Sequence, residues 1–442
     1  MQNASELIED RTRRTKWYVH DRFGMFIHWG LYSIPAVDEW IRNQRRLTVD
    51  EYQPYFDHFN PQNYDPCEWA RLAKQAGMKY AVLTAKHHDG FCLFDSKYTD
   101  YKITNTPYGK DAVREFLEAF RAEGLRVGLY FSLLDWYHPD YPHYGDMHHP
   151  MRENEAYKEM HHDFARYLKY MHNQIEELVT GYGKLDIMWF DFSYGEMTGE
   201  KWQPHRIMEL VRTHQPDMII DNRMDGGGRR RGSILTAEPK DYSGDFASPE
   251  QMVPPEGVLN DLGQPVPWES CITLNKHWCY SKTDQHFKSA KLIIRSLVEC
   301  VSKNGNLLLN VGPDANGEIP AQTVEILEEV GKWMSRNGES IYGCGASEFE
   351  KPEWGRFTQN GDTLYAHVYE EAVSAVCLPN LSGKVKSLRS LATGDELEET
   401  MFWTLTEYIK DHAFFFMNPA FECSYPLPDS NDSVVKIELE KS

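Results

Sequence analysis

Short apolar runs alternate with longer segments of helical spacing along the first 340 or so residues of the chain. Apolar runs of about four to eight residues bounded by polar turns are typical of buried strands, and apolar residues that recur every three to four positions indicate amphipathic helices. Strands that alternate with helices predict a parallel sheet with helical crossovers. The predicted strands are Gly24–Trp29, Lys79–Ala85, Arg126–Phe131, Leu185–Phe190, Met218–Asp221, Tyr242–Phe246, Cys271–Leu274 and Asn306–Val311.

Helical spacing predicts six helices among these strands, and Gly124 and Gly338 stand where C-terminal caps belong. Eight strands are the number of a (β/α) barrel, so the predicted α/β fold is a TIM-like barrel. The predicted helices are Pro66–Gln75, Asp111–Glu123, Glu155–Thr180, Pro204–His214, Asp284–Ser302 and Ala321–Asn337.

The pattern changes after about residue 345. Short alternating runs at Thr363–Tyr369, Val373–Leu378 and Val434–Leu439 are separated by Gly, Pro and Asn turns. Such a pattern predicts a small antiparallel β-sandwich. We therefore predict two domains, a barrel over residues 1–345 and a C-terminal β-sandwich over residues 346–442.

Composition excludes several classes of protein. The 442 residues are 41% hydrophobic and 13% aromatic, and their formal net charge of −20 disfavours nucleic acid and anionic membrane surfaces as partners. A mean hydropathy of −0.60 and the lack of an apolar run of about 18 residues predict no transmembrane helix. The charged N-terminal segment lacks the apolar stretch of a secretion signal, so we expect a cytoplasmic protein. Eight scattered cysteines without a CxxC pair predict buried free thiols. Nothing in the sequence indicates the oligomeric state.

Polar residues follow five of the predicted strands at their C-terminal ends. In a parallel barrel these ends surround one pocket, where the loops that precede the helices begin. A lone histidine or a strand-end aspartate is often only structural, but the convergence of five such ends predicts a functional site. The residues are His28 after the first strand, Lys86, His87, His88 and Asp89 after the second, Asp135 after the third, Asp191 after the fourth, and Asn222 and Arg223 after the fifth.

Aromatic residues lie in or beside the same strand ends. Aromatic faces pack against the apolar faces of sugar rings, while His, Arg and Glu side chains bind hydroxyl groups, so a carbohydrate is the predicted ligand. The alternative is that these rings only fill the mouth of the barrel. They are Trp29, Trp40, Phe91, Trp136 and Trp189.

Asp191 ends the strongly apolar segment LDIMWFD, with Trp189 on the same face of the strand. A carboxylate fixed in this way suits the nucleophile of a retaining glycosidase, which needs a second carboxyl about 5–5.5 Å away to protonate the leaving oxygen. Spacing does not identify this second carboxyl. Glu39, Glu238, Glu250 and Glu269 all remain open.

The chain closely resembles the α-L-fucosidases of glycoside hydrolase family twenty-nine, from about residue 15 to 345, in the strings FGMFIHWGLYSIP, KHHDGF, GLYFSLLDW, DIMWFD, GDFASPEQ, WESCITL and NGNLLLNVGP. The resemblance implies a (β/α) barrel followed by a β-sandwich, and no metal or other cofactor. It implies a retaining exo-α-L-fucosidase of the broad-acting branch, which acts on small fucosylated glycans through a covalent fucosyl-enzyme.

The resemblance implies that Asp191 is the nucleophile and that Glu250, the Glu of a D-F-x-[ST]-[PA]-E string, is the acid/base, with Glu269 as a lesser candidate. The chain departs from the family at Asp221–Arg223, which is D-N-R instead of N-D-R, and in the extra piece GGGRRRG that follows. The residues implied to bind fucose are His28, Glu39, Trp40, His87, His88, Tyr130, Trp189 and Arg223.

Two other functional classes compete with this interpretation. A metal-dependent hydrolase would use convergent imidazoles and carboxylates, and a non-catalytic sugar-binding protein would keep the aromatics but lose a catalytic carboxyl. A pocket tolerant at C5 of the sugar would also accept α-L-galactosides. Aglycone preference depends on three loops whose shapes the sequence does not predict, Asp38–Thr48, Trp136–Pro150 and Arg223–Pro267. The metal ligands would be His28, His87, His88, Asp89 and Asp191.

Overall fold

The computed structural model describes residues 4–226, 232–400 and 409–440. Helices and strands alternate over most of the chain, and short strands follow. The α-helices are α1 (Ala4–Asp21), α2 (Ile41–Gln44), α3 (Val49–Asp57), α4 (Pro66–Gln75), α5 (Ala112–Ala122), α6 (Phe164–Gly181), α7 (Pro204–His214), α8 (Ala290–Val301) and α9 (Ala321–Asn337). The strands are β1 (Phe23–Ile27), β2 (Tyr80–Lys86), β3 (Arg126–Ser132), β4 (Ile187–Asp191), β5 (Ile219–Ile220), β6 (Glu269–Thr273), β7 (Asn306–Val311), β8 (Gly355–Asn360), β9 (Thr363–Val368), β10 (Val376–Leu378), β11 (Val385–Ser390), β12 (Glu396–Leu397), β13 (Ala413–Phe415) and β14 (Ser433–Leu439).

Strands β1 to β7 form one parallel sheet in the order β5-β4-β3-β2-β1-β7-β6. Parallel neighbours need crossover connections, and α5, α6, α7 and α8 stand between consecutive strands of this sheet. The predicted α/β fold with a TIM-like parallel sheet is confirmed for these seven strands. All their C-terminal ends point the same way, which gathers the polar residues that follow them.

The sixth predicted strand, Tyr242–Phe246, does not form. Gly244 has a φ of 85°, which interrupts the extended backbone. Residues 246–250 instead make single bridges, one to the residue that follows β5 and others towards β6, including one to Cys271. An irregular segment therefore stands between the two edges of the sheet where the prediction put a strand.

The sheet curls around one buried apolar cluster. Each of the seven strands contributes at least one inward side chain, and Phe246 contributes another from the irregular segment. Tyr18 of α1 belongs to the same cluster, so this helix closes the end opposite the strand C-termini. The cluster consists of Tyr18, Phe26, Tyr80, Val82, Tyr130, Ile187, Trp189, Ile219, Phe246, Cys271 and Leu308.

Two predicted helices begin later than expected. The segment predicted at Glu155–Thr180 becomes α6 only at Phe164, because the carboxylate of Asp163 accepts the backbone N–H of Arg166 and caps the helix there. The segment predicted at Asp284–Ser302 likewise begins at Ala290, because Ser289 caps α8. Helices α1, α2 and α3 were not predicted.

The C-terminal region contains antiparallel strands, as predicted. Five of them form a sheet in the order β12-β11-β14-β9-β8, and β10 pairs with β13 in a second sheet. Side chains of both sheets share one apolar cluster, which includes Val376 from β10, Phe415 from β13 and Ile437 from β14. The domain boundary at residues 345 and 346 stays a prediction.

The predicted free thiols are confirmed, with two exceptions in their burial. All eight cysteines are unpaired, six are buried, Cys377 is partly buried and Cys67 is exposed. Within the described residues, no helix combines the length and apolar character that a bilayer crossing requires.

Replacement of Gly24 by alanine tests the packing of the curled sheet. A Cβ at this position in β1 would lie 2.3 Å from the ring of Tyr80 in β2, and the strands cannot separate without loss of their pairing. We expect Gly24→Ala to lower the free energy of unfolding by about 1–3 kcal/mol in urea denaturation, the usual effect of overpacking. Gly181→Ala in α6 is the control, because nothing lies within 4 Å of its added Cβ, and it should cost nothing. Equal stabilities of the two variants would contradict this packing.

Candidate active site

Asp191 is the last residue of β4, and its side chain faces the inside of the sheet like that of Trp189 two residues earlier. Its Oδ2 accepts a hydrogen bond of 2.8 Å from the hydroxyl of Tyr130 on β3, and its Oδ1 accepts one of 3.1 Å from Nη1 of Arg223. Burial, and then the nearby carboxylate, raises the pKa of Tyr130, which keeps the phenol a donor. Both oxygens of Asp191 are thereby fixed in position.

Arg223 joins two carboxylates. Its Nη1 contacts Asp191, and its Nη2 lies 2.8 Å from Oε2 of Glu250. The guanidinium also donates from Nε to Oγ of Ser248 at 3.1 Å and lies 4.6 Å above the ring of Trp189. Burial opposes its charge, but the carboxylates of Asp191 and Glu250 prevail and raise the pKa of Arg223. One largely buried cation, with 18% of its side chain exposed, therefore holds the two carboxylates side by side.

The D-N-R order has a structural role. The buried carboxylate of Asp221 accepts the backbone N–H groups of Phe190 at 2.9 Å and of Arg223 at 3.3 Å. Oδ1 of Asn222 accepts both N–H and O–H of Ser248 at 3.1 Å. Asp221 and Asn222 thus fix the backbone around Arg223, whose side chain reaches the carboxylates of Asp191 and Glu250. The centre of the GGGRRRG piece, residues 227–231, lies outside the described residues.

Glu250 belongs to the irregular segment that stands in place of the sixth strand. Its backbone forms a bridge with Cys271 of β6, which anchors it to the sheet. Its side chain is 41% exposed, whereas that of Asp191 is 11% exposed. The site therefore pairs a buried, fixed carboxylate with one that solvent reaches.

The other carboxyls considered for the acid role lie elsewhere. Glu269 begins β6, so its side chain enters the cluster at the end away from the strand C-termini, where it accepts from the hydroxyl of Tyr80. Burial raises the pKa of Glu269 to about 7. Glu238 is exposed on a loop. Of these carboxyls, Glu250 is the one that shares Arg223 with Asp191.

Glu39 reaches the site through Trp278, a residue that sequence reasoning missed. Oε2 of Glu39 accepts the backbone N–H groups of Trp278 at 3.2 Å and Cys279 at 3.3 Å. The Trp278 ring lies 5.0 Å from His28 and 5.9 Å from Phe26. Burial, and then Asp38, raises the pKa of Glu39 to about 7. The position of Trp278 in the sequence could have identified it. Trp278 follows the predicted strand Cys271–Leu274 by four residues, as Asp135 follows the predicted strand that ends at Phe131.

Hydrogen bonds assign the tautomer of His88. The hydroxyl of Ser132 donates to the carbonyl of Leu134 at 2.6 Å, so its oxygen is free to accept the N–H of His88 Nδ1 at 2.7 Å. Nε2 of His88 then carries a lone pair, at 3.9 Å from Oδ2 of Asp191. This nitrogen can accept a hydrogen bond from a ligand hydroxyl.

His28 has the same tautomer for the same kind of reason. The amide nitrogen of Asn310 donates to the carbonyl of Trp278 at 2.6 Å, which leaves Oδ1 to accept from Nδ1 of His28 at 2.7 Å. Asn310 is a single polar residue near the end of the apolar strand β7, a signal the sequence analysis did not use. Nε2 of His28 is therefore also an acceptor.

The three site imidazoles are neutral near physiological pH. Burial, partly offset by Asn310, lowers the pKa of His28 to about 3. Burial and the neighbouring His148 and Arg223 lower that of His88 to about 3. The ring of His87 lies 4.1 Å from that of His88, and burial together with the other two imidazoles lowers its pKa as well.

The predicted aromatic wall is correct in part. Trp40 lies 5.1 Å from His88 and packs on Trp136 at 5.2 Å, and Trp189 lies under Arg223. Trp29 and Phe91, in contrast, are buried in the core around β1 and β2, away from the carboxylates. Trp29 faces outward because side chains alternate along β1 and its continuation, and Phe91 lies on the loop after β2, where Gly90 has a φ of 83°. Trp29 packs on Phe59, Tyr64 and Trp69, and Phe91 on Phe56, Phe59 and Tyr101.

One group of side chains in the described ranges has metal-ligand atoms within 4.8 Å of one another, and it consists of Asp38, Glu39 and His277. Glu39 is already bonded to two backbone N–H groups. The ligand set of the metal-dependent alternative is not assembled, because the carboxylate of Asp89 accepts from the hydroxyl of Tyr52 and lies in the core.

Comparison with known proteins shows the family. The family model described as Alpha-L-fucosidase matches residues 2–339, which include every site residue named above. The chain belongs to the alpha-L-fucosidase family. It is a glycoside hydrolase, as the resemblance implied.

Two relatives are similar to the chain over 98% and 79% of its length. The structure of alpha-L-fucosidase isoenzyme 1 from Paenibacillus thiaminolyticus is 54% identical, with a TM-score of 0.93 over 98% of this chain and 100% of that one. The tissue alpha-L-fucosidase of Homo sapiens is 31% identical over 380 residues, 79% of this chain and 74% of the relative.

A third relative bears on the mechanism. An alpha-L-fucosidase from Bacteroides thetaiotaomicron, trapped as a covalent intermediate with 2-fluoro-fucosyl fluoride, is 27% identical with a TM-score of 0.80. The match covers 97% of this chain and 96% of that one. A covalent intermediate is the mark of a retaining glycosidase.

The neutral imidazoles predict a pH dependence of stability. His88 has a pKa near 6.5 in the unfolded chain and about 3 in the folded one, so below pH 6.5 the unfolded chain binds a proton that the folded chain does not. The neutral His88 therefore contributes its full share to the free energy of unfolding above pH 6.5, and this contribution is lost as the pH falls. Urea denaturation at pH 7 and at pH 5 measures how much the free energy of unfolding drops between the two. We expect this drop to be smaller in His88→Gln than in the unsubstituted chain, by about 2 kcal/mol. Identical drops would contradict a neutral, buried His88.

Proposed function

We propose that the chain is a retaining exo-α-L-fucosidase that removes terminal α-L-fucosyl groups from oligosaccharides or glycoconjugates through a covalent fucosyl-enzyme. Asp191 is the nucleophile and Glu250 is the acid/base. The observation that carries the proposal is the contact of both carboxylates with the guanidinium of Arg223, one buried and one at the solvent-exposed edge.

In the first step a carboxylate oxygen of Asp191 attacks the anomeric carbon while the glycosidic C–O bond breaks. Protonated Glu250 gives its proton to the leaving oxygen. Retention requires a short separation of about 5–5.5 Å between the two carboxyls. Asp191 and Glu250 contact the two terminal nitrogens of one guanidinium, that of Arg223, which supports such a separation. The hydrogen bonds from Tyr130 and Arg223 hold Asp191 in one orientation for the attack.

In the second step Glu250, now ionised, removes a proton from water. The water oxygen bonds to the anomeric carbon, and the ester bond to Asp191 breaks with its electron pair returned to the carboxylate. The exposure of Glu250 supports this role, because water must reach it in every turnover. The buried position of Asp191 supports its role as the nucleophile, because the protein would shield the fucosyl ester from water on the face of the sugar that Asp191 occupies.

The imidazoles and aromatic rings would recognise the sugar. Nε2 of His28 and of His88 are acceptors, so each can bind a hydroxyl hydrogen of fucose, including that of the axial 4-hydroxyl. The methyl group on C5 would pack on aromatic faces such as those of Trp189 and Trp278. Glu39, Trp40, His87 and Arg223 complete the proposed binding set.

Several finer expectations remain part of this proposal. They are the broad-acting branch, small fucosylated glycans as substrates, a cytoplasmic location, and the division into a barrel over residues 1–345 and a β-sandwich over residues 346–442. The contact of both apolar faces in the C-terminal region supports the sandwich. The single bridges of residues 246–250 to both edges of the parallel sheet support a closed barrel.

Replacement of Asp191 tests the nucleophile. We expect Asp191→Ala to lower kcat on an aryl α-L-fucoside by several orders of magnitude with an unchanged far-ultraviolet circular dichroism spectrum, because no covalent intermediate can form. Glu196→Gln is the matched control, an exposed carboxyl on the loop that follows β4, and it should keep full activity. Hydrolysis by purified Asp191→Ala at the unsubstituted rate would refute the assignment.

Replacement of Glu250 tests the acid. A good leaving group needs no proton, so Glu250→Ala should lower kcat/KM far more for a fucosyl disaccharide than for an activated aryl fucoside. Kinetics on both substrates, with the same enzyme preparation, measure the two losses. Equal losses would count against an acid role and point to a structural one.

A further inference from the structure

Four partly exposed rings surround the mouth of the pocket, and we call Trp40, His148, Phe192 and Tyr194 the aromatic rim. The Phe192 ring lies 5.3 Å from Trp40, 4.9 Å from His148 and 5.5 Å from Tyr194. His148 lies 4.7 Å from Tyr194, edge to face at 88°. Three separate loops supply these residues, so the rim is assembled only in the folded chain.

Phe192 has an unusual backbone conformation. It directly follows Asp191, and its φ is 83°, in the region that favours glycine. A residue with a Cβ is strained there, and strain of this kind persists where the surroundings enforce it, often at functional sites. A glycine would satisfy the backbone here without strain, so the aromatic side chain calls for a reason beyond the turn itself.

The Phe192 ring extends from the pocket to the outside. On its inner side it contacts His88, with the ring centroids 4.9 Å apart, and His88 faces Asp191. On its outer side it contacts His148 of the loop between β3 and α6. The rim therefore begins where the pocket for the first sugar ends, next to the carboxylate that would carry it.

Partly buried hydrogen bonds hold the outer half of the rim. Oδ2 of Asp146 accepts from the hydroxyl of Tyr194 at 2.5 Å, and its Oδ1 accepts the backbone N–H of His148 at 2.8 Å. The hydroxyls of Tyr141 and Tyr194 lie 2.7 Å apart. Rings that are fixed before the ligand arrives lose little entropy on binding.

We propose that the aromatic rim is the subsite for the sugar to which the fucose is attached, and that Phe192 determines specificity there. Trp40 lies at the border of the two subsites, because its ring contacts both His88 of the fucose pocket and Phe192 of the rim. Flat apolar rings with imidazole, indole and phenol groups at their edges suit a neutral pyranose, whose C–H face stacks and whose hydroxyls hydrogen-bond. The inference rests on the proposed function, since it assigns the aglycone side of the same site.

Two substrates separate the subsites. α-L-Fucosyl fluoride has no second sugar, whereas a fucosyl-α-1,2-galactose disaccharide fills both positions. For Phe192→Ala we expect the ratio of kcat/KM on the disaccharide to kcat/KM on the fluoride to fall by about three- to tenfold, the effect of one lost stacking ring. His148→Ala should lower the ratio similarly, and residue 148 keeps its bond to Asp146 because that bond is made by the backbone.

Phe192→Gly tests the link between strain and specificity. Glycine and alanine both remove the ring, but only glycine relieves the positive φ. Phe192→Gly should share the lowered ratio of Phe192→Ala and melt about 1–3 °C higher. A ratio that falls in neither variant would overturn the proposal.

The control is Phe421→Ala, an exposed ring in the C-terminal region with 81% of its surface accessible, which should keep the original ratio and activity. Equal losses on both substrates in Phe192→Ala and His148→Ala would also overturn the subsite, because the rings would then act on the first sugar. Failure of the unsubstituted chain to hydrolyse the fluoride would instead refute the proposed function.

Discussion

The site depends on one largely buried cation, Arg223. Asp191 and Glu250 would repel each other if they stood alone in this partly dry pocket, and the guanidinium of Arg223 offsets that repulsion by contacting both. The ring of Trp189 and the hydroxyl of Ser248 hold the guanidinium in place. The end of β4, the end of β5 and the irregular segment are thereby drawn together at one point. The missing strand between β5 and β6 matters for this reason, because that segment carries Glu250.

The other polar groups of the pocket avoid adding charge. His28 and His88 are neutral because they are buried, and Asn310 and Ser132 fix their tautomers so that both present acceptor nitrogens. Burial also raises the pKa of Asp221, whose carboxyl accepts hydrogen bonds from the backbone N–H groups of Phe190 and Arg223. The pocket thus concentrates its formal charge on Arg223 and the two carboxylates, where bond making and breaking would develop charge, and leaves recognition of hydroxyls to neutral groups.

Sequence reasoning works where one local pattern determines the outcome. The apolar runs identify seven strands because each is buried on both faces, and the strand-end rule finds Asp191 and Arg223 because parallel strands deliver their ends to one place. It fails for contacts made across the fold. The sixth strand is lost to the positive φ of Gly244, Trp29 faces the core because of its phase along the strand, and the importance of Phe192 lies in a backbone angle that no composition signals. Local patterns also left Glu39, Glu238, Glu250 and Glu269 equivalent. The family resemblance favoured Glu250, and the curl of the sheet brings it to Arg223 while Glu269 lies at the other end of the apolar cluster.

The central claim, that Asp191 carries the sugar covalently, is tested most directly by trapping. The folded chain would be incubated with 2-fluoro-fucosyl fluoride, digested with a protease, and the modified peptide sequenced by tandem mass spectrometry. The account predicts one 2-fluorofucosyl group per chain, on the carboxylate of Asp191 in the segment IMWFD. A label on Glu250 or another residue, or hydrolysis of fucosides by a chain that never becomes labelled, would contradict it.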